Sequence, residues 1–251
     1  MSRIELTAAS RLGNVRKNNE DIVLAYDRLI RSNAYQTEFM TENTESFVVA
    51  VADGMGGHRA GEVASELAMS NLKFFVGDLP RGMMPDEVKQ KMSEWLQSAH
   101  LMVNSRGLAN PSLREMGTTL VGLLYYAGHY FWMNCGDSRL YRLRDRQLTQ
   151  ITKDHSLNAL TGETKHSNVI TNCIGAGAKT AFLDIEEMTD DFCEGDVYLL
   201  CSDGLNDMVS DHDIEQLLCE GASASTLCAA AVDAGGYDNV SALVLNVKKS
   251  L

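Results

Sequence analysis

Phe47-Val48-Val49-Ala50-Val51-Ala52-Asp53-Gly54-Met55-Gly56-Gly57-His58 decides the reading of this chain. Its first half is a short, unbroken apolar run rich in β-formers, which reads as a buried strand. Its second half is a tight loop, with a carboxylate at the point where the strand reaches the surface and a glycine that lets backbone approach a ligand closely. Val197-Tyr198-Leu199-Leu200-Cys201 repeats the layout and ends at Ser202-Asp203-Gly204. Two core strands that each deliver an aspartate to a glycine turn predict one shared site.

Outward from these, strands are expected at Thr118–Tyr126, Tyr130–Cys135, Ser138–Leu143 and Ser241–Val247, the first two joined as a hairpin at Ala127-Gly128. Apolar residues at helical spacing predict helices over Gly61–Val76 and Pro85–Arg106, with Pro85 suited to a first turn. Two more follow at Asp211–Cys219, capped by Ser210, and Ser225–Ala234, before Gly235-Gly236. The order describes a mixed sandwich with helices on its outer faces. The polar stretch Arg31–Ser46 reads as a mobile excursion, with Gly107–Glu115 a second candidate.

A chain of 251 residues that is 45% hydrophobic can bury a sizeable core, and one domain is expected over residues 1–251. Met1–Ala8 alternates polar and apolar residues without the apolar run of a secretory signal, and no stretch has membrane length. Six cysteines at irregular intervals, without a C-x-x-C pair, fit neither a zinc ribbon nor a secreted disulfide framework, so a cytoplasmic location is expected. A formal net charge of -12 disfavours nucleic acid as a partner. It also raises the question of where the carboxylates gather, since a cluster of them calls for a cation.

The ordered signals are Arg16-x-x-Asn19-Glu20-Asp21, Asp53-Gly54-Met55-Gly56-Gly57-His58, Gly117-Thr118-Thr119, Gly136-Asp137-Ser138-Arg139, Asp154-His155-Ser156, Ser202-Asp203-Gly204 and Asp238-Asn239-Val240-Ser241. Alone, each is an ordinary turn. Together and in this order they resemble the metal-dependent Ser/Thr protein phosphatases of the type 2C (PPM) family, in its bacterial form, from Arg16 to Val247. The resemblance implies an α+β fold: a four-layer α-β-β-α sandwich of two antiparallel sheets flanked by helix pairs. It implies two Mn2+ or Mg2+ ions, with a third in many bacterial relatives. Asp53 would bridge two metals and the Gly54 carbonyl would bind one. Asp203 and Asp238 would complete the other, Glu20 and Asp21 would act through metal-bound water, and Asp137 with Asp203 would take the third.

Hard divalent cations choose oxygen ligands and keep several waters, so few carboxylates per ion suffice. Two ions about 3.5–4 Å apart would activate a bridging hydroxide for in-line attack on a phosphoserine or phosphothreonine phosphate. Arg16 would hold that phosphate through two parallel hydrogen bonds, which the neighbouring Lys17 could not reproduce. The implied partner is a phosphorylated protein, with a cognate Ser/Thr kinase acting in opposition. A catalytically silent binding module of the same fold and a small-molecule phosphatase stand as alternatives.

Other residues receive plainer readings. Gly117-Thr118-Thr119 and Arg139 brace strand ends, and His155 is an internal strut. His58 is a helix cap or solvent contact and not the general acid, because Met55 stands directly after the Asp-Gly pair, where many eukaryotic relatives carry a histidine. Met69, Met92, Met102 and the cysteines are packing residues. Between Ser156 and Asn168 the family's usual flap is shortened, which predicts an open site.

Overall fold

Alternate residues of the strand Ser46–Ala52 are buried in two different cores. Phe47, Val49 and Val51 face an inner core, while Val48, Ala50 and Ala52 face an outer one. That is why the run carries no polar alternation: it has no solvent face. Val197–Cys201 behaves alike, with Tyr198 and Leu200 inward and Leu199 and Cys201 outward. The structure, a computed structural model, describes residues 2–56, 60–161 and 169–249.

Two six-stranded antiparallel sheets form the middle layers. One runs, edge to edge, Gln147–Gln150, Arg139–Arg144, Val197–Cys201, Val240–Lys248, Arg3–Arg11 and Ala34–Met40. The other runs Asp184–Glu187, His129–Cys135, Leu120–Tyr126, Ser46–Ala52, Ile22–Ala25 and Arg28–Ile30. The inner core between them includes Ile4, Leu6, Val49, Val121, Leu200 and Leu245. Helices Ala60–Gly77 and Pro85–Ala109 cover the second sheet through Met69, Leu72, Met92 and Leu96. Helices Asp211–Cys219 and Ala224–Asp233 cover the first through Ile214, Leu218, Leu227 and Cys228. The arrangement is the expected four-layer α-β-β-α sandwich.

The hairpin at Ala127-Gly128 is present, with both residues at positive φ (47° and 95°), the backbone a two-residue connection between twisted strands requires. Ser210 caps its helix by accepting from the Asp213 N–H at 3.2 Å. The following helix begins one residue earlier than expected, at Ala224, because Ser223 takes the capping position. The strand expected over Thr118–Tyr126 breaks at Thr119, whose N–H turns to the Asp53 carbonyl.

Two expectations are corrected. Arg31–Ser46 is not a mobile excursion: it holds the edge strand Ala34–Met40, paired with Arg3–Arg11. Its polar residues face solvent, while Phe39 stacks on Tyr26 with centroids 4.4 Å apart and meets Phe47 edge-on at 5.0 Å. Gly107–Glu115 is likewise ordered, since the helix continues to Ala109 and a 3-10 turn over Pro111–Leu113 buries Leu113. Met69 and Met92 are fully buried, in keeping with packing. His58 and most of the shortened flap lie outside the described residues. The ends of that flap are fastened to each other, with the Leu157 N–H donating to the Val169 carbonyl at 2.9 Å and Thr171 to His155 at 2.8 Å.

Candidate active site

Antiparallel pairing brings alternate strand ends to one end of the sandwich. Ala52 lies opposite Ile22, so Asp53 at the end of one strand meets Glu20 and Asp21 at the start of the next. Cys201 lies opposite both Arg139 and Ala242, which draws together Asp203, Asp137 and Asp238. Arg11 pairs with Val240, and the loop after it carries Arg16 back to Asp238, Nη2 to Oδ2 2.5 Å. All eight residues singled out from the sequence, Arg16, Glu20, Asp21, Asp53, Gly54, Asp137, Asp203 and Asp238, sit at this one end.

Their electrostatics are those of carboxylates crowded without compensation. Burial, then repulsion from Asp21, Asp203 and Asp137, pushes Asp53 well above the usual carboxylate range. Burial lifts Asp21 to about 7, with the Ser202 hydrogen bond opposing it and Asp203 and Asp238 adding repulsion. Asp137 rises to about 7 and Asp203 to about 6, again chiefly through burial. Glu20 is raised in the same way, while the Gly61 N–H and Arg16 pull it down. Asp53 and Asp203 interact directly, so charge on Asp203 disfavours ionisation of Asp53.

Three oxygens in this cluster, Glu20 Oε1, Asp21 Oδ1 and Asp203 Oδ1, are buried and accept no hydrogen bond. Orphaned acceptors are costly, and here they are hard anionic donors, the type that Mn2+ and Mg2+ select. Among the described residues no group of three or more His, Cys, Asp or Glu side chains is gathered tightly enough to hold an ion alone. Hard ions complete their shells with backbone carbonyls and water beside the carboxylates they take. The residues present fit such a metal pair.

Backbone approach explains the two glycines. A Cβ at Gly54 would stand 2.2 Å from the Gly61 carbonyl oxygen and 2.6 Å from that of Glu20. A Cβ at Gly204 would stand 1.9 Å from the Asn239 carbonyl oxygen, so no side chain fits where the Asp203 and Asp238 loops meet. Thr118 and Thr119 fasten the Asp53 turn. Thr119 Oγ1 accepts the Asp53 N–H at 3.0 Å, and the Asp53 carbonyl accepts from Thr118 Oγ1 and the Thr119 N–H, each at 2.9 Å. Arg139 forks onto Asp154, with Nη2 to Oδ2 at 2.8 Å. His155 Nδ1 accepts the Gly136 N–H at 3.1 Å while Nε2 pairs with Asp184 at 2.9 Å, the geometry of a strut.

Beneath the carboxylates runs a buried relay. Ser202 donates to Asp21 Oδ2 at 2.7 Å and accepts the Ser241 N–H at 3.0 Å; Ser241 donates to Ser10 at 2.9 Å, and Asn19 donates to Ser10 at 2.8 Å. Asn239 accepts the Glu20 N–H at 2.8 Å and donates to the Leu12 and Asn18 carbonyls. Ser10, Arg31 and Ser65 belong to this scaffold and escaped the sequence reading. Each contributes from outside any motif, and nothing local in the sequence marks them.

Comparison with known proteins bears on the family and the fold. The Protein phosphatase 2C family profile matches residues 31–233. The serine/threonine protein phosphatase PstP of Mycobacterium tuberculosis is 35% identical over 98% of this chain, which spans 46%, about half, of that relative's length. The solved serine/threonine phosphatase of S. agalactiae superposes with a TM-score of 0.83 at 25% identity, covering 98% of this chain and all of that one. The PstP catalytic domain, solved in complex with two manganese ions, superposes at 0.77 with 35% identity, over 99% of this chain and all of that one.

Proposed function

Because the chain belongs to the protein phosphatase 2C family, we propose that residues 1–251 act as one Mn2+- or Mg2+-dependent phosphoprotein phosphatase domain that hydrolyses phosphoserine and phosphothreonine. The observation that carries this reading is the convergence of buried, mutually repelling carboxylates with orphaned oxygens beside an exposed arginine. Bound ions would supply activated water and offset phosphoryl charge. Asp53 would be the shared ligand, with the Gly54 carbonyl on one ion and Asp203 and Asp238 on the other; Glu20 and Asp21 would orient water, and Asp137 would serve a third, weaker ion.

Arg16 keeps 54% of its side chain exposed, which leaves its planar fork accessible to a substrate phosphate. Threonine bonds at both ends of the Asp53 peptide hold that carboxylate in place, which is how a site avoids reorganising at the moment of reaction. The partner is a phosphorylated protein, with a cognate Ser/Thr kinase in opposition and a cytoplasmic setting. Six free thiols support that setting, and among the described residues no helix is long and apolar enough to cross a membrane.

Hydrolysis of a chromogenic aryl phosphate with Mn2+, against EDTA and against Asp203→Asn, tests the reading. Activity confined to the Mn2+-loaded wild type is expected, and a silent wild type would leave a binding module in its place. Phosphoserine and phosphothreonine peptides then fix the substrate class; turnover of phosphorylated metabolites alone would replace it.

A further inference from the structure

We propose that Arg31 is a positioning residue that fixes the Asn19–Asp21 segment against the first turns of helix Ala60–Gly77 and thereby sets the metal affinity of the site. The inference rests on the reading of Glu20 and Asp21 given above. Three consecutive carbonyls, those of Asn19, Glu20 and Asp21, are all taken by one donor cluster. Arg31 Nη1 donates to the Asn19 carbonyl at 2.9 Å and the Asp21 carbonyl at 3.2 Å. Ser65 Oγ donates to the Glu20 carbonyl between them at 2.6 Å. Nη2 of the same guanidinium donates to the Glu62 carbonyl at 3.0 Å and reaches Ser65 Oγ at 3.5 Å. The Arg31 carbonyl accepts from the Asn19 side chain, so the residue grips this segment with main chain and side chain alike.

The partners show why the residue is an arginine. Its ion pair with Glu66 is long, 3.6 Å, and that carboxylate is 61% exposed, so it contributes little. The close partners are neutral carbonyls spread over two chain segments. A guanidinium reaches them with donors fixed in one plane, whereas a lysine would bring a single nitrogen. Where these carbonyls stand decides where the Glu20 and Asp21 side chains point, and each of those carries a buried, orphaned oxygen. Groups that orient ligands from behind change metal affinity by about 10–100-fold when removed. Arg31 belongs to the segment that leads into the edge strand Ala34–Met40, so the strand anchors the clamp.

Mn2+ uptake by the metal-stripped protein, followed by loss of the free-ion paramagnetic resonance signal and by calorimetry, tests the proposal without any turnover. Arg31→Met should bind Mn2+ about 10–100-fold more weakly while circular dichroism still reports the native fold. Arg31→Lys should fall close to it, and Ser65→Ala should lose about 10-fold. Glu66→Gln should match the wild type. A folded Arg31→Met protein with wild-type affinity would make Arg31 a mere brace and overturn the proposal, as would full affinity in Arg31→Lys or a Glu66→Gln loss as large as that of Arg31→Met. If Arg31→Met does not fold, Ser65→Ala decides, and unchanged affinity there is equally fatal. A wild type that takes up no Mn2+ would remove the metal reading itself, whereas uptake with unaltered variants removes only the role of Arg31.

Discussion

Raising the pH should destabilise the metal-free protein, and a measurable part of the loss should trace to Asp21. This side chain is fully buried, and its carboxyl is moved from an ordinary 3.8 to about 7. The unfolded chain releases that proton near the ordinary value. Between roughly pH 4 and 7 the native state therefore holds a proton the unfolded state has lost, and stability falls as pH rises. At 1.36 kcal/mol per pH unit the whole span is worth about 4 kcal/mol, of which about 2.5 kcal/mol is lost between pH 5 and 8. Against a typical domain stability of about 5–15 kcal/mol, that is large. Asp137 and Asp203 push in the same direction, but protonating one relieves the others, so the effects do not sum. The assay is urea unfolding in chelator at pH 5, 6, 7 and 8, followed by circular dichroism. Asp21→Asn keeps the shape and removes the charge, so its stability should decline less steeply by about 2.5 kcal/mol over that window. Saturating Mn2+ should stabilise the wild type more at pH 8 than at pH 5, since ions bind ionised ligands. Parallel slopes for the two proteins, or a wild type that gains stability as pH rises, would refute the reasoning.

Arg16→Ala should raise KM for a phosphopeptide about 10-fold with a smaller effect on kcat, and Arg16→Lys should recover only part of it; steady-state kinetics check both. Gly54→Ala must displace the Gly61 and Glu20 carbonyls, so it should cost about 1–3 kcal/mol in urea unfolding and abolish tight Mn2+ uptake in titration. Thr119→Val strips the Asp53 N–H of its acceptor and Ser138 of its 2.7 Å partner. That should cost about 1–3 kcal/mol and lower kcat more than it raises KM.

What could be read in the sequence follows from how locally each signal is written. The strands Ser46–Ala52 and Val197–Cys201 are buried on both faces, so their character is continuous in sequence and visible. Ala34–Met40 is an edge strand with mostly solvent-facing polar residues, and its Phe39 gains meaning only against Tyr26 and Phe47. The strand Arg3–Arg11 hides similarly: its place inside the sheet is set by pairing with Val240–Lys248 on one side and Ala34–Met40 on the other. Within the site, Asp53, Asp137 and Asp203 each sit beside a glycine and stand out. Arg31 and Ser65 act through main-chain carbonyls, and a carbonyl leaves no trace in the identity of the residue that bears it, while Ser10 meets the Ser241 hydroxyl only once the two ends of the sequence pair in the sheet.

The carboxylates of the cluster do not come from one sheet. Asp53 and Asp21 are delivered by strands of one, Asp203 and Asp238 by strands of the other, and the inner apolar layer, with the Ser202–Asp21 and Asn239–Glu20 hydrogen bonds at its end, keeps the two aligned. The site therefore works as a gauge of how those plates sit on each other. A slip of an ångström between them, too slight to alter backbone content, would pull the paired acids apart. Agents that soften the inner layer should thus silence this protein well before they melt it.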